Sequence, residues 1–274
     1  MTAGKNDGKG TMTRRTDTGR GTILLAYSGS ATTSAAIRGL AQEYAANVVT
    51  LTLDLGAGGE LQEIHERALT IGAVRAHVID VREEFADGYL LPALQTGALD
   101  GRGTALDALA RPLVAKKLVE IARIERAIAV AHGAAPDSGI DTLIHAIAPD
   151  MRVISGSHVP VPALVPAAAS RTHAPAGPDN GADVEITFDR DVPVAINGVP
   201  MSLTELIESL TVIASQHGIT ASDDFAGSPA IVVLQAAFNA RLRQEITCVV
   251  RLKLQHGAAT AAAVTSSELA APRS

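Results

Sequence analysis

Short apolar runs alternate with amphipathic stretches over the first 155 residues. The apolar runs predict five buried strands, at residues 23–27, 47–53, 75–80, 127–131 and 151–155. Apolar residues at helical spacing predict the intervening helices, near residues 33–45, 60–71, 83–95, 105–126 and 139–147. This alternation is typical of an α/β fold, in which a doubly wound parallel sheet is covered by helices on both faces. Such sheets bind ligands beyond the carboxyl ends of their strands.

The pattern changes after residue 155. Residues 156–182 are rich in Pro, Ala, Gly and Ser, a composition that buries little and predicts a linker. Residues 183–255 then predict a second, smaller α+β domain. Its signals are two apolar β-runs at 184–188 and 192–196, a capping box at Ser202 and Glu205, and helical stripes from 203 and over 230–242.

Both ends of the chain lack a core-forming pattern. Residues 1–21 are polar and rich in Gly and Thr, which predicts a disordered tail, and Met12 is an alternative start to Met1. Residues 256–274 are rich in Ala, Ser and Thr and predict a second flexible tail. The first domain in this interpretation therefore spans residues 22–155.

Composition narrows the classes of function. A net charge of −6 gives no electrostatic reason to expect a nucleic-acid or membrane-surface partner. No apolar run is long enough to span a membrane and the N-terminus has no apolar signal core, so we expect a cytoplasmic protein. Cys248 is the only cysteine, which excludes an internal disulfide. The histidines have no metal-ligand spacing, so we predict no metal site.

Residues 23–34, ILLAYSGSATTS, form the clearest candidate site. A buried strand turns through small residues into a helix, whose first-turn N–H groups and dipole favour a phosphate. We expect Ser30 to place a side chain where glycine would take the required backbone φ more cheaply. Read alone, the stretch is equally an ordinary turn whose Ser or Thr caps a helix.

This turn resembles Ala-Tyr-Ser-Gly-Gly-Leu-Asp-Thr-Ser, the pyrophosphate-binding loop of argininosuccinate synthases. Other segments are similar to that family in the same order, at residues 51–56, 109–122, 131–133, 148–154 and 192–198. Several independent segments in one order identify the chain as a truncated and divergent member of the family, which belongs to the N-type ATP pyrophosphatases. The resemblance implies a nucleotide-binding domain of the adenine nucleotide alpha hydrolase type.

The family joins citrulline and aspartate into argininosuccinate, with ATP cleaved to AMP and pyrophosphate, as a ligase of arginine biosynthesis. The resemblance therefore implies ATP with Mg²⁺, and a small amino-acid-like substrate. It leaves the catalytic residues unassigned. By residue-to-residue match it implies an ATP site at Ala26, Tyr27, Ser28, Gly29, Ser30, Thr33, Ser34, Thr52 and Gly133.

The polar groups of the family are largely replaced in this chain. Ser30 and Thr32 stand where the family has Gly and Asp. Residues 134–145 replace a Thr-Gly-Lys-Gly-Asn-Asp-Gln-Val-Arg run that supplies aspartate and citrulline contacts in the family. Two later substrate segments of the family are absent. Binding an α-amino acid needs paired charges, and most of the groups that would supply them are missing.

Two hypotheses remain open on these residues. The first is an argininosuccinate-synthase-like ligase with impaired or altered substrate use. The second is a non-catalytic paralogue that serves as a binding or assembly partner. Both hypotheses leave a homo- or hetero-oligomer open. We expect His132 to end a strand, because no neighbour in sequence completes an acid–base pair, and we expect Asp141 to be solvated. Asp54 is interpreted as a strand-end loop residue.

Overall fold

The computed structural model describes residues 20–56, 61–99, 103–134, 138–155, 181–219, 229–241 and 247–266. The predicted N-terminal tail lies almost entirely outside these residues, as does the predicted linker. None of the helices in the described residues is both long and apolar enough to cross a bilayer.

A parallel five-stranded sheet forms the first half of the chain. Its strands are β1 (Thr22–Ala26), β2 (Asn47–Asp54), β3 (Arg75–Asp80), β4 (Ala129–His132) and β5 (Val153–Ser155). They lie in the order β3-β2-β1-β4-β5, and every pairing is parallel. The doubly wound sheet predicted from the alternating pattern is therefore confirmed. The order of the strands reverses at β1, because β2 and β3 lie on one side of it and β4 and β5 on the other. The crevice for a ligand therefore lies beyond the carboxyl ends of β1 and β4.

Helices cover both faces of this sheet. The helices of this half are α1 (Ala31–Glu43), α2 (Leu61–Ile71), α3 (Arg82–Phe85), α4 (Leu91–Thr96), α5 (Gly103–Ile124) and α6 (Ile140–Ile147). Of these, α1 and α2 pack on one face of the sheet, and α5 and α6 pack on the other. Because β-strand side chains alternate, Ile23 and Leu25 pack with Ile37 of α1 on one face. Leu24 packs with Leu118 of α5 on the other. Burial of β1 on both faces explains its continuous apolar sequence.

The single helix predicted near residues 83–95 is interrupted. Between α3 and α4 the chain forms a π-helical turn over Ala86–Leu90. Pro92 lies in the first turn of α4 and has no N–H to donate to the carbonyl of Gly88 four residues earlier. The proline therefore removes one regular α-helical hydrogen bond just where the winding changes.

A second, antiparallel sheet follows. Its strands are β6 (Ala182–Asp189), β7 (Val192–Ile196), β8 (Val199–Pro200), β9 (Cys248–Gln255) and β10 (Ala258–Ser266), in the order β10-β9-β6-β7-β8. Helices α7 (Leu203–Gln216) and α8 (Pro229–Ala240) contribute to its core, where Phe188 and Phe238 meet edge to face at 5.0 Å. The capping box predicted at Ser202 and Glu205 begins α7. The smaller α+β unit predicted from the sequence is present.

The flexible tail predicted for residues 256–274 is wrong for its first half. Residues 258–266 form β10, which pairs with β9 along its whole length. Alanine, the commonest residue of this stretch, is depleted in strands, and the backbone hydrogen bonds to β9 supply what its side chains lack. Residues 267–274 lie outside the described part of the chain.

The core of the second sheet extends into the first half of the chain. Phe85, Leu90 and Leu113 belong to the same buried cluster as Phe188 and Leu206. Helices α3 and α4 therefore pack with the second unit, although they lie between strands of the first in sequence. The exact domain boundaries at 155 and 183 stay a prediction.

Candidate functional site

The turn between β1 and α1 is held in place by its neighbours. Thr52 donates from Oγ1 to the carbonyl of Tyr27 at 2.8 Å, and the Tyr27 hydroxyl lies 3.0 Å from Ser34 Oγ. Gly29 has a φ of +76°, and a Cβ there would approach Ile64 to 3.0 Å. The left-handed φ and the close approach together explain why glycine stands at this position.

Ser30 plays a different part from the one expected. Its backbone is extended, with φ −66° and ψ 160°, so it needs no glycine-like conformation. It is the N-cap of α1, and its Oγ accepts the N–H of Thr33 at 3.3 Å and lies 3.0 Å from Thr33 Oγ1. The prediction of a strained Ser30 is therefore wrong. A serine fits here because an N-cap residue is extended and uses its hydroxyl to accept a first-turn N–H.

A cavity of about 740 Å³ opens beside this turn, at the carboxyl ends of β1, β2 and β4. Apolar side chains form much of its wall, among them Leu51, Leu53, Leu55, Val114 and Leu118. The described residues that line it include no Asp or Glu. Such a slot suits the apolar faces of an adenosine, and the N-terminus of α1 at its edge suits a phosphate.

Six of the nine predicted ATP-site residues line this cavity: Ala26, Tyr27, Ser28, Ser30, Thr33 and Gly133. The other three do not line the cavity but stabilise the conformation of the turn. Gly29 supplies its left-handed bend, while Ser34 and Thr52 hold the hydroxyl and the carbonyl of Tyr27. Thr52 therefore acts on Tyr27 and does not line the cavity. The role of all nine in binding ATP stays a prediction.

A pair formed by a buried histidine and a partly exposed carboxylate at the cavity was missed by the sequence analysis. His132 is 2% exposed, and its Nε2 lies 2.5 Å from Oδ1 of Asp141 on α6. The expectations that His132 lacks an acid–base partner and that Asp141 is simply solvated are both wrong. A strand-end His followed nine residues later by an Asp in the first turn of the next helix was the available signal, because that turn returns to the strand end.

The environment of His132 favours its neutral form. Burial lowers the pKa of His132, and the Asp141 carboxylate opposes that shift only in part. A carboxylate can only accept, so Nε2 carries the proton and donates it to Asp141. Nδ1 is then an acceptor, and it has no hydrogen-bond partner among the described residues. The pair fixes the first turn of α6 against the end of β4.

Asp54 is engaged in a separate ionic cluster. Its Oδ1 accepts the N–H of Gly56 at 2.9 Å, and its Oδ2 lies 3.5 Å from Nε of Arg82. Arg82 also contacts Asp80 and Glu208, and its side-chain hydrogen bonds lower the pKa of Asp80 to about 2. Glu208 lies on α7, so the cluster links the end of the parallel sheet to the second unit.

The described residues do not supply a ligand set for Mg²⁺. Within that part of the chain no three His, Cys, Asp or Glu side chains come together as a metal site would require. No carboxylate among the described residues lines the cavity. An Mg²⁺ ion bound with ATP would depend here on phosphate oxygens and water, which such ions commonly retain.

Comparison with known proteins identifies the class and then the family. The fold is that of a parallel α/β protein of the HUP type. Residues 22–160 match the family described as "Arginosuccinate synthase N-terminal HUP domain", and residues 165–227 match "Arginosuccinate synthase C-terminal domain". The chain therefore belongs to the argininosuccinate synthase family, and the resemblance found in its motifs is confirmed.

Curated relatives extend the comparison over most of the chain. The argininosuccinate synthase of Streptococcus thermophilus is 34% identical over 248 residues, covering 72% of this chain and 62% of the relative. That of Listeria welshimeri is 37% identical, covering 72% and 61%. The chain thus spans about three fifths of the length of these relatives. Among solved structures, an NMN synthetase from Francisella tularensis aligns with 42% of this chain and 45% of its own, at 18% identity and a TM-score of 0.32.

Proposed function

We propose that this protein binds an adenine nucleotide in the cavity between β1, β2 and β4, as a divergent relative of argininosuccinate synthase with impaired or altered substrate use. The observation that carries the proposal is the position of the cavity. It lies at the switch point of the sheet and is bordered by the turn from Tyr27 to Thr33. Nucleotides bind at this point in parallel α/β sheets.

The residues suggest how the nucleotide would lie. Its phosphates would meet the N-terminus of α1, where the first-turn N–H groups have no acceptor inside the helix. The hydroxyls of Ser28 and Thr33, which lie 3.3 Å apart, would add donors. The adenosine would then lie along the apolar wall formed by Leu53 and Val114. In this arrangement ATP is a substrate, and cleavage to AMP and pyrophosphate is the reaction class of the family.

Altered substrate use follows from the charges of the cavity. Holding an α-amino acid requires one group for its carboxylate and an opposite group for its ammonium. Among the described residues that line the cavity, Arg111 carries a fixed positive charge and no carboxylate is present. These residues offer no acceptor charge for an ammonium group. We therefore expect no argininosuccinate synthesis at a rate typical of the family.

A non-catalytic paralogue is the second candidate. Two observations favour it. The apolar core of the parallel sheet is intact, since Ile23, Leu24 and Leu25 of β1 are fully buried, whereas the described residues that line the cavity carry few charges. Such a protein would keep the nucleotide fold as a binding or assembly partner, alone or as an oligomer. Either role is compatible with the cytoplasmic location predicted from the sequence.

Two measurements separate these candidates. Calorimetry with ATP and Mg²⁺ tests nucleotide binding, and a pyrophosphate-release assay tests turnover with citrulline plus aspartate and with a panel of other amino acids. We expect ATP binding and no argininosuccinate. Pyrophosphate release with another amino acid supports the ligase, and binding without release for any substrate supports the paralogue. Rapid argininosuccinate formation refutes altered substrate use, and absence of ATP binding refutes the nucleotide site.

A further inference from the structure

Among the described residues that line the cavity, Arg111 is the one that carries a fixed positive charge. It lies on α5 and is the single Lys or Arg among the described residues that line the cavity wall. Its Nη1 donates to the backbone carbonyl of Ser138 at 2.9 Å, and no carboxylate of the described residues pairs with it. A guanidinium has five N–H donors, so most of its donor capacity is left for another partner.

This arrangement differs from that of Arg241, which is the fully buried arginine among the described residues. Arg241 is 7% exposed, and its Nε donates to Asp191 at 2.7 Å, so its charge is compensated within the protein. Arg111 is partly buried and has no such counter-charge in the described residues. A cation removed from water is costly unless an anion compensates it, and an anionic ligand would do so.

The rest of the cavity reinforces a preference for anions. His132 is held neutral by burial, and the described lining residues include no carboxylate. Positive charge at the cavity wall comes from Arg111 and from the N-terminal dipole of α1, whereas Asp141, which pairs with His132, is not among the lining residues. Its remaining wall is apolar, with Leu51, Leu55 and Leu118 among the lining residues.

We propose that Arg111 is the anion-binding residue of this cavity and pairs with one oxyanion, a phosphate or a carboxylate, on a ligand whose body is apolar or aromatic. The planar guanidinium matches both groups because each presents two oxygens at the right spacing. The proposal rests on the proposed function only where the oxyanion is a nucleotide phosphate. A carboxylate would belong to a second ligand, one without the ammonium group of an amino acid.

The test compares Arg111→Gln with a matched control, Arg123→Gln. Both arginines lie on α5 and both donate to a backbone carbonyl, Arg123 to that of Ile147 at 3.4 Å. Arg123 is exposed and does not line the cavity. Calorimetry measures binding of three probes, adenosine, AMP and hexanoate, to the parent protein and to both variants. Thermal melting of the variants checks that each is folded.

We expect Arg111→Gln to lower the affinity for an anionic probe at least tenfold, and Arg123→Gln to leave that affinity unchanged. If Arg111→Gln binds AMP more weakly than the parent protein does but binds adenosine equally well, the oxyanion is a phosphate. If only the affinity for hexanoate falls, the oxyanion is a carboxylate. An equal fall in affinity for adenosine and AMP, or an unchanged affinity for every probe, overturns the proposal. Arg111 would then serve only to hold the backbone of Ser138 through its hydrogen bond.

The same data separate this proposal from the nucleotide function. If hexanoate binding depends on Arg111 and neither adenosine nor AMP binds, the nucleotide function fails and the anion site stands. If AMP binds equally well to the parent protein and to Arg111→Gln, and hexanoate does not depend on Arg111, the anion site fails and the nucleotide function stands. If the parent protein binds none of the probes, both are refuted.

Discussion

Replacing Ser30 with glycine should tighten binding of ATP. In the structure the Ser30 hydroxyl accepts the N–H of Thr33 and also contacts its Oγ1, so it occupies two groups that a phosphate could use. Ser30→Gly removes this competitor and leaves the backbone of the turn free to adopt the same conformation. In the proposed nucleotide site the Ser30 cap therefore competes with a phosphate, and the substitution removes that competition.

The size of the effect follows from the two hydrogen bonds exchanged. Exchanging a serine N-cap for glycine costs a few tenths of a kcal/mol of stability. A hydrogen bond from the freed N–H to a charged phosphate contributes about 1.5–3 kcal/mol, against about 0.5–1.5 kcal/mol for the neutral bond to Ser30. The difference of roughly 1–1.5 kcal/mol corresponds to binding tighter by about five- to tenfold.

Ser202→Gly is the matched control. Ser202 caps α7 with φ −65° and ψ 161°, almost the same backbone as Ser30, and it does not line the cavity. Calorimetry with ATP at one Mg²⁺ concentration should show tighter binding for Ser30→Gly and no change for Ser202→Gly. Both variants should melt slightly below the parent protein. Unchanged or weaker ATP binding in Ser30→Gly would show that the cap does not compete with phosphate.

Three further predictions concern stability and organisation. Because burial lowers the pKa of His132 below its ordinary value of 6.5, the unfolded chain binds a proton more readily than the folded one, so stability should fall as pH drops below about 6.5. Melting temperatures measured from pH 8 to 5 should show this decrease, and His132→Gln should reduce the dependence of the melting temperature on pH. The same pH dependence in His132→Gln would contradict the lowered pKa of His132. Leu206→Ala should lower the free energy of unfolding by about 2–5 kcal/mol, since Leu206 is fully buried in the core of the second sheet, and a denaturant-measured loss below 1 kcal/mol argues against that packing. From composition alone, limited proteolysis should cut first within residues 156–182, and initial cleavage within β1 to β5 would argue against the linker.

Local patterns were enough for much of the fold. The run from Ile23 predicted β1 because a strand buried on both faces must be apolar throughout, and it is. Ser202 and Glu205 predicted the start of α7 because a capping box involves only residues three apart. The motif order was also sufficient to identify the family.

Other features depended on contacts between distant segments. The run of alanines in residues 258–266 outweighed the strand signal of Val264 and its neighbouring threonines, and pairing with β9 decides that the stretch is a strand. Ser30 was expected to be strained because a motif says which residue is replaced but not which φ the new residue adopts. Phe85 and Leu90 were assigned to the first half by sequence order, yet they pack in the core of the second sheet.

The sequence by itself determined the parallel sheet, the capped turn between β1 and α1 and the family, because strand burial, helix capping and motif order are encoded over a few neighbouring residues. Only the tertiary structure decided the chemistry of the cavity. It placed His132 against Asp141 and left Arg111 without a carboxylate partner in the described residues. These relations join β4 to α6 and α5 to the loop before α6. Charge pairing of this kind acts through space, so spacing along the chain does not specify it.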